Sequence, residues 1–366
     1  MVKEKVVILK CEEYNEKIYE KLKNGIQSAG INTEISEKIL FKPNMLSARN
    51  PDEGVTTHPL ILKYLSKIFS KSEIYCGDSP ANTSRPIENY WEKCGYTELA
   101  ENGNFKLVKF DKSFFIEIEV ADKKVKIPVS EYVLTHKIIN IPKLKTHNLT
   151  LLTCAIKNLY GLIPGFKKGI LHSEFISPVE FSEFLVEFYR KVEKYIFFNV
   201  VDAIISMEGN GPSAGDLRKS GYLIIGKNAV AVDIICARLI GIDEMKIPFL
   251  KIYSDKYGLP EIEILGDKFT PLKNFKTPSS FRISLFQNKL LSPFLKFLGK
   301  NFKIIPVINK EKCRKCYACI EVCPVKAISE NLKIDRKKCI NCLCCFEVCP
   351  YRAIEIKKSF IAQIFT

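Results

Sequence analysis

The sequence predicts an α/β protein in which a mostly parallel β-sheet, covered by helices on both faces, is followed by a small α+β module. Two observations predict the sheet domain. Short apolar runs alternate with amphipathic runs as far as about residue 240, and loops rich in glycine or polar residues separate them. Strands that are apolar throughout are typical of a parallel sheet covered on both sides. The C-terminal module is set apart because nine of the 14 cysteines lie between Cys313 and Cys349.

The predicted elements follow in chain order. Strands are expected at residues 6–9, 39–42, 74–76, 133–141, 197–205 and 222–225, with a hairpin of residues 114–120 and 124–129. Helices are expected at residues 13–28, 58–70, 179–195 and 229–240. Thr57 is expected to cap the second helix, with Pro59 in its first turn, and Gly241 is expected to end the last helix.

Composition divides the chain into an α/β domain at 1–267, a basic linker at 268–306 and a cysteine-rich domain at 307–358. Nine basic residues and no Asp or Glu lie between Lys268 and Lys310, and residues 281–298 are rich in Phe and Leu at roughly helical spacing. This pattern has two interpretations. Either a helix packs its apolar face on the sheet domain, or residues 281–303 form a basic amphipathic surface for an anionic membrane or an acidic protein.

The chain carries a formal charge of +15, and 46% of its residues are hydrophobic. No run approaches the roughly 18 apolar residues of a spanning helix, and the apolar run near the N-terminus is shorter than the core of a signal peptide. A cytoplasmic protein without a transmembrane segment is therefore expected. The basic charge suits nucleic acid, an anionic membrane or acidic partners. Nucleic acid is not expected, because the sequence has no recognised motif and no interleaved aromatic and basic residues.

An internal repeat is the clearest motif. Cys313-x2-Cys316-x2-Cys319-x3-Cys323-Pro324 recurs 26 residues later as Cys339-x2-Cys342-x2-Cys345-x3-Cys349-Pro350. The pattern resembles that of bacterial ferredoxins with two [4Fe-4S] clusters. In such a repeat three thiolates wrap one cluster and the fourth reaches the other. We therefore predict two [4Fe-4S] clusters, the first held by Cys313, Cys316, Cys319 and Cys349, and the second by Cys339, Cys342, Cys345 and Cys323.

The cysteines have other possible interpretations. Zinc sites with four cysteines usually use two CxxC pairs, which this repeat does not resemble. Cys344 is surplus to the pattern and is interpreted as a bystander or a hydrogen-bonding neighbour. The basic residues near the clusters (Arg314, Lys315, Lys337 and Lys338) either raise the reduction potential and attract acidic partners or form a solvated face. The remaining five cysteines are interpreted as small buried hydrophobic residues.

Polar residues of the α/β domain gather where the predicted strands end. They include Lys42-Pro43-Asn44, Gly77-Asp78-Ser79, the stretch Lys143-Leu144-Lys145-Thr146-His147, Asp202, and Glu208-Gly209-Asn210-Gly211. The carboxyl ends of strands in an open parallel sheet form the ligand crevice. We therefore expect these side chains to converge on one binding site.

At these positions, and at Thr56-Thr57-His58-Pro59, Lys157-Asn158-Leu159-Tyr160-Gly161 and Ala231-Val232-Asp233, the chain resembles the family named domain of unknown function 362. The resemblance covers roughly residues 6–240. Members often carry a C-terminal ferredoxin module. The family name establishes no reaction, so the resemblance implies architecture more than chemistry.

Candidate roles follow from residue chemistry. Catalytic roles are assigned to Lys145, His147, His172, Asp78 and Glu208. The two histidines would transfer protons, and the two carboxylates would bind a metal or orient those bases. Binding of an anionic substrate is assigned to Lys42, Asn44, Lys143, Thr146, Lys157, Asn158 and Asn210. Simpler alternatives stay open: His58 caps a helix, the lysines are solvated, and residues 209–212 form a tight turn. No ligand pair among His147, His172 and Asp78 has the spacing of a metal site, and no glycine-rich nucleotide motif is present.

Two functions are compatible with these observations. In the first, the protein is an oxidoreductase that passes electrons from its clusters to an anionic substrate or cofactor bound in the α/β domain. In the second, it is a non-enzymatic electron carrier or assembly protein whose α/β domain docks a partner protein. An electron donor or acceptor protein is expected in both.

Overall fold

The computed structural model describes residues 3–80, 82, 85–165, 167–175, 177–278 and 304–358. The described strands are β1 Glu4–Lys10, β2 Ile39–Pro43, β3 Ile74–Cys76, β4 Lys106–Leu107, β5 Ser113–Val120, β6 Lys123–Ser130, β7 Lys137–Ile141, β8 Lys143–His147, β9 Leu151–Thr153, β10 Ile196–Glu208, β11 Asp216–Gly226, β12 Ile262–Gly266, β13 Ile304–Ile308 and β14 Ile354–Lys358.

Helices connect most of these strands. The described α-helices are α1 Lys17–Ser28, α2 Pro59–Ile68, α3 Glu88–Lys93, α4 Tyr96–Glu101, α5 Tyr132–Thr135, α6 Ala155–Asn158, α7 Lys167–Glu174, α8 Pro178–Val192, α9 Ala229–Leu239, α10 Pro248–Tyr257, α11 Ala318–Glu321 and α12 Cys344–Val348.

One large mixed sheet organises the α/β domain. Its strand order is β12-β1-β11-β10-β7-β2-β3-β4, and β8 pairs with both β10 and β9. Only the β1–β11, β10–β11 and β8–β9 pairs in the described sheet are antiparallel. The prediction of a mostly parallel sheet is confirmed. The predicted hairpin is present as β5 and β6, which form a separate antiparallel pair.

Helices and apolar cores cover both faces of the sheet, as predicted. Alternate residues of a strand serve opposite faces, so Leu40 joins the core beneath α8, α9 and α10, while Phe41 joins the core beneath α1 to α4. In α1 the buried residues Ile18, Leu22 and Ile26 follow one another at intervals of four, which places them on one face of the helix. The sheet is therefore held between two apolar layers.

Three details of the predicted elements are wrong. The strand predicted at 133–141 begins only at Lys137, because Tyr132–Thr135 forms a helical turn that buries Val133 and leaves Leu134 exposed. The stretch Lys143–His147, which was predicted as a loop, is strand β8, since its backbone pairs with β10 and β9. The cap of α2 is His58 and not Thr57, because Nδ1 of His58 accepts a hydrogen bond from the Leu60 N–H.

The C-terminal module packs against the sheet domain. Its strands β13 and β14 pair antiparallel and lie beside α11, α12 and the nine clustered cysteines. Of the predicted linker, residues 268–278 run along the sheet domain, where the Leu272 N–H donates to the carbonyl oxygen of Leu239. The amphipathic segment predicted at 281–303, with its proposed membrane contact, lies outside the described residues.

Candidate functional site

A crevice lies at the carboxyl ends of the central strands, where the sheet domain meets the C-terminal module. Its lining comes from both parts of the chain. From the sheet domain it takes Asn44, Leu46, Asp78, Ser79, Pro80, Lys145, Thr153, Lys157, Asn158, Tyr160, Gly161, Lys168, Gly169, His172 and Pro212, and from the module Val322, Cys344 and Glu347. Ligand sites of α/β proteins are expected at this edge of the sheet.

A buried ion pair forms one wall of the crevice. Nζ of Lys42 lies 2.8 Å from Oδ1 of Asp78, and Oδ2 of Asp78 accepts a hydrogen bond from the Met45 N–H. The pair is packed against Gly161, because a Cβ atom there would stand 2.0 Å from Oδ1 of Asp78. Burial lowers the pKa of Lys42, and the neighbouring carboxylate opposes that shift. Both predicted site residues are therefore present, but they neutralise each other.

A network of side-chain amides holds Lys145. Nζ of Lys145 donates to Oδ1 of Asn44 and to the carbonyl oxygen of Val55, at 2.9 and 2.7 Å. Asn44 in turn donates to Asn158, whose own amide donates to Oδ1 of Asn140. Lys145 is buried and none of its hydrogen-bond partners is a carboxylate, so burial, helped by Lys157 and Lys143, moves its pKa well below the ordinary value.

Lys157 is a further cation of the crevice. It lies on α6, which begins where Asp233 of α9 accepts hydrogen bonds from the N–H groups of Ala155 and Ile156. Its Nζ lies 5.9 Å from the ring centre of Phe181, and within the described chain it makes no ion pair of 4 Å or less. Burial lowers its pKa, against the attraction of Glu347. An anion in the crevice would supply the missing partner.

Helix α7 brings two further titratable groups to the crevice. Nζ of Lys168 donates to the carbonyl oxygens of Ser79 and Pro80, and burial lowers its pKa to about 7. His172 stacks on Phe181 at 4.2 Å between ring centres, and burial lowers its pKa to about 3. Nδ1 of His172 is buried and has no hydrogen-bond partner among the described residues. His172 is therefore a neutral polar group that a ligand can reach.

Glu347 of the module closes the crevice and contacts the sheet domain. Its Oε1 lies 3.0 Å from Nε2 of His147. Nδ1 of His147 accepts hydrogen bonds from the N–H groups of Leu149 and Thr150, so the proton of the neutral ring is on Nε2, the nitrogen nearer Glu347. Burial lowers the pKa of His147 to about 4, whereas His147 and Lys157 lower the pKa of Glu347 to about 2 despite its burial. At neutral pH a carboxylate faces a neutral imidazole.

Besides Lys42 and His147, which stand behind the crevice, four further predicted site residues lie outside its lining in the described structure. Lys143 pairs with Asp202 at 2.9 Å and donates to the Tyr14 hydroxyl. Thr146 donates to the carbonyl oxygen of Gly209, and Glu208 accepts from the Lys276 N–H. Asn210 is exposed. The first three organise the chain around the crevice but do not line it. No three His, Cys, Asp or Glu side chains in the described residues converge to hold a single metal ion.

The clustered cysteines surround two cavities. One is lined by Cys313, Cys316, Cys319 and Cys349, and the second by Cys323, Cys339, Cys342, Cys344 and Cys345. The four cysteines predicted for each cluster lie around one cavity, and Cys344 joins the second set. Four soft sulfur donors spread around a cavity fit a cubic cluster, which holds one thiolate at each iron.

The second cavity adjoins the crevice. Cys344 lines both spaces, and Val322, which precedes the second-cavity residue Cys323, also lines the crevice. Cys344, which is surplus to the repeat, therefore stands between the second cavity and the crevice.

Two arginines of the sheet domain bond to cysteines that line the first cavity. Nη2 of Arg49 donates to the carbonyl oxygen of Cys349 at 2.8 Å, and Nη2 of Arg85 donates to that of Cys316. Arg85 also pairs with Glu321 at 3.1 Å. These bonds fix the orientation of the module relative to the crevice.

Lys168 was missed by sequence reasoning, and its only signal was that it stands near the predicted residue His172. Ser79 and Tyr160 belong to the strand-end and family-like stretches of the sequence, but no role was predicted for them. Glu347 had no local signal, because its partner His147 lies 200 residues away in the sequence, and the place of Cys344 at the crevice depends on residues of the sheet domain. Asp233 was part of the family resemblance, but its role in starting α6 depends on tertiary contact.

Comparison with known proteins agrees with this architecture. The profile described as "Domain of unknown function (DUF362)" matches residues 39–238, which is more than half of the chain. The chain belongs to this family. The profile described as "4Fe-4S binding domain" matches residues 306–329 and 332–355. This DUF362 protein therefore carries two [4Fe-4S] clusters and is an iron–sulfur electron-transfer protein.

One curated relative of this DUF362 protein is the "Thylakoid-associated protein sll1697" of Synechocystis sp., which is 28% identical over 223 residues. The match covers 58% of this chain and 65% of the relative, so the chain spans somewhat less than two thirds of that protein. No solved structure matches the chain significantly. Within the described residues, every helix is too short or too polar to cross a bilayer.

Proposed function

We propose that this protein is an oxidoreductase that passes electrons from its second cluster to an anionic substrate or cofactor bound in the crevice. The observation that carries the proposal is that one residue, Cys344, lines both the crevice and the cavity of the second cluster. Electrons leaving that cluster therefore have a short path into a space that a ligand can enter. When bound, the clusters supply one-electron transfers; the chain supplies binding and protons.

The charge of the lining supports an anionic ligand. Lys145, Lys157 and Lys168 all face the crevice, and no carboxylate forms a close pair with any of them in the described structure. Glu347 contributes one negative charge at the module side, next to His147. The positive side of the crevice would hold a carboxylate or phosphate, and the reducible part of the ligand would lie toward Cys344.

We propose the two cysteine sets that line the cavities as the cluster ligands. The cluster with Cys349 lies beside Arg49 and Arg85, and the cluster with Cys323 lies beside the crevice. We also place the protein in the cytoplasm, because eight ligating thiolates are best preserved in a reducing compartment.

The test is direct oxidation of the reduced clusters. Anaerobically purified protein is reduced, and a panel of small carboxylates and phosphate esters is added one at a time while cluster absorbance and EPR signals are followed. We expect one class of anion to reoxidise the clusters and Lys157→Met to slow that reaction. Lys251→Met is the matched control, because Lys251 is exposed and pairs with Asp255.

A carrier gives a different result. If the α/β domain only docks a partner protein, no small anion reoxidises the clusters, and Lys157→Met alters partner affinity alone. That outcome, with both clusters intact by iron and sulfide analysis, would replace the oxidoreductase with an electron carrier or assembly protein.

A further inference from the structure

The two halves of the C-terminal module share one backbone but differ in their side chains. Residues related by the 26-residue repeat have matching positive φ angles: 52° at Lys315 and 57° at Asn341, and 60° at Tyr317 and 62° at Leu343. The backbone around the two cluster cavities is therefore nearly symmetric. Any difference in what the two halves recognise must come from their side chains.

The side chains around the first cavity are basic and aromatic. Arg314, Lys315, Tyr317 and Tyr351 correspond, at the repeat spacing of 26 residues, to Ile340, Asn341, Leu343 and Val325 on the side of the second cavity. Tyr317 and Tyr351 are 43% and 48% exposed, whereas Leu343 is 7% exposed. The two tyrosines and Arg314 also line the first cavity, so they reach from the cluster to the surface.

The cations of this surface have no acidic partner. Within the described residues, Arg314, Lys315 and the neighbouring Arg352 are exposed and form no ion pair of 4 Å or less, while the nearby carboxylates of Glu355 and Glu321 are taken by Lys312 and Arg85. The second cluster differs in position, because its side of the module faces the crevice, which Cys344 and Val322 line.

We propose that Arg314, Lys315, Tyr317, Tyr351 and Arg352 form a docking face for a one-electron carrier protein with an acidic surface, which exchanges electrons with the first cluster. Uncompensated cations steer an acidic partner to the face and set its orientation. Exposed tyrosine and arginine are the residue types that most often anchor a protein interface. In reduction, one electron leaves the carrier and one enters the first cluster. The inference requires the clusters but not a substrate in the crevice.

The experiment uses the full chain with both clusters and a reduced, acidic [2Fe-2S] ferredoxin as the probe. Anaerobic stopped-flow spectroscopy measures the second-order rate constant of cluster reduction at several salt concentrations. The charge-reversal variant is Arg314→Glu with Lys315→Glu. Its matched control is Lys337→Glu with Lys338→Glu, which changes the net charge equally on exposed residues of the other half.

We expect the native rate to fall with added salt, and the variant at Arg314 and Lys315 to lose about tenfold or more at low salt. The control should retain most of the rate. A second variant carries Tyr317→Leu and Tyr351→Val, residues that the same backbone already accepts on the side of the second cavity, and it should also slow reduction. Photoreduction by a neutral deazaflavin should remain unchanged in all variants.

Two results would overturn the docking face. One is an equal loss in the charge-reversal variant and its control, which would show that only net charge matters. The other is a native rate that does not depend on salt. Because neither measurement involves the crevice, both can fail or succeed independently of substrate reduction.

Discussion

Lys143 and Lys145 lie two residues apart on β8 and are equally buried, yet their environments differ. Nζ of Lys143 meets the carboxylate of Asp202 at 2.9 Å, whereas Lys145 is held by an amide oxygen and a carbonyl oxygen. Lys42, paired with Asp78, resembles Lys143; Lys157, without an ion pair in the described chain, resembles Lys145. Lysines with a carboxylate partner stabilise the fold through buried ion pairs. Lysines without one can pair with an anionic ligand.

The largest effect is expected from breaking a compensated pair. Lys143→Met leaves the buried carboxylate of Asp202 without its cation, and removing one partner of a buried ion pair typically costs about 3–5 kcal/mol of stability. Lys145→Met strands no carboxylate and should cost clearly less. Urea unfolding of anaerobic protein, followed by circular dichroism, measures both. If both variants lost the same free energy of unfolding, the carboxylate partner of Lys143 would make no difference to stability.

A smaller effect is expected from removing an uncompensated cation. Lys157→Met should weaken binding of the anion that reoxidises the clusters by about 1.5–3 kcal/mol, roughly tenfold to a hundredfold, since hydrogen bonds to charged groups contribute about that much. Stability should change little or rise, because a desolvated charge is removed. Titration of the variant by isothermal calorimetry checks affinity. Unchanged affinity would mean that the anion binds elsewhere.

The pH dependence of binding tests Lys168. Burial lowers the pKa of its ammonium group to about 7, so the positive charge is present below that pH and is lost as the pH rises through it. Anion affinity should therefore fall above about pH 7, by about 1 kcal/mol or a factor of roughly five. Affinity is measured between pH 6 and 8.5 by the same calorimetry. Lys168→Met should abolish the fall in anion affinity near pH 7. If the fall persists in this variant, another group causes it.

The smallest effect is expected at Asn210, a polar loop residue that the sequence placed in the site. The side chain is exposed and is not part of the crevice lining. Asn210→Ala should change anion affinity and stability by less than about 0.5 kcal/mol. The calorimetric and unfolding measurements used for the lysines apply here too. A larger loss of affinity would extend the binding site beyond the crevice.

The architecture was largely predictable because apolar periodicity reports burial directly. Runs such as residues 39–42 and 74–76 match the observed β2 and β3 closely. Strand β8 was missed because its alternate residues are lysines and a histidine, which the pattern of a buried strand does not contain. Those side chains can be buried only because partners from distant parts of the chain receive them.

The candidate site was predictable only in part, for the same reason. Polarity at the strand ends pointed to Asn44, Asp78 and Lys145, which do line the crevice. Whether a lysine is neutralised depends on a carboxylate that can be 59 residues away, as Asp202 is from Lys143. The wall supplied by Glu347 depends on how the module docks, and no short-range pattern carries that information.

The contact of Glu347 with His147 limits how freely the electron-carrying part of the chain can be exchanged. A chimaera that replaced residues 307–358 with an unrelated ferredoxin would keep two clusters, since their eight cysteines are all within the graft. It would nevertheless open one side of the crevice unless the incoming sequence supplied an acidic side chain two residues after its Cys345 equivalent. A graft of the two-cluster module therefore also has to supply the acidic residue that closes the crevice.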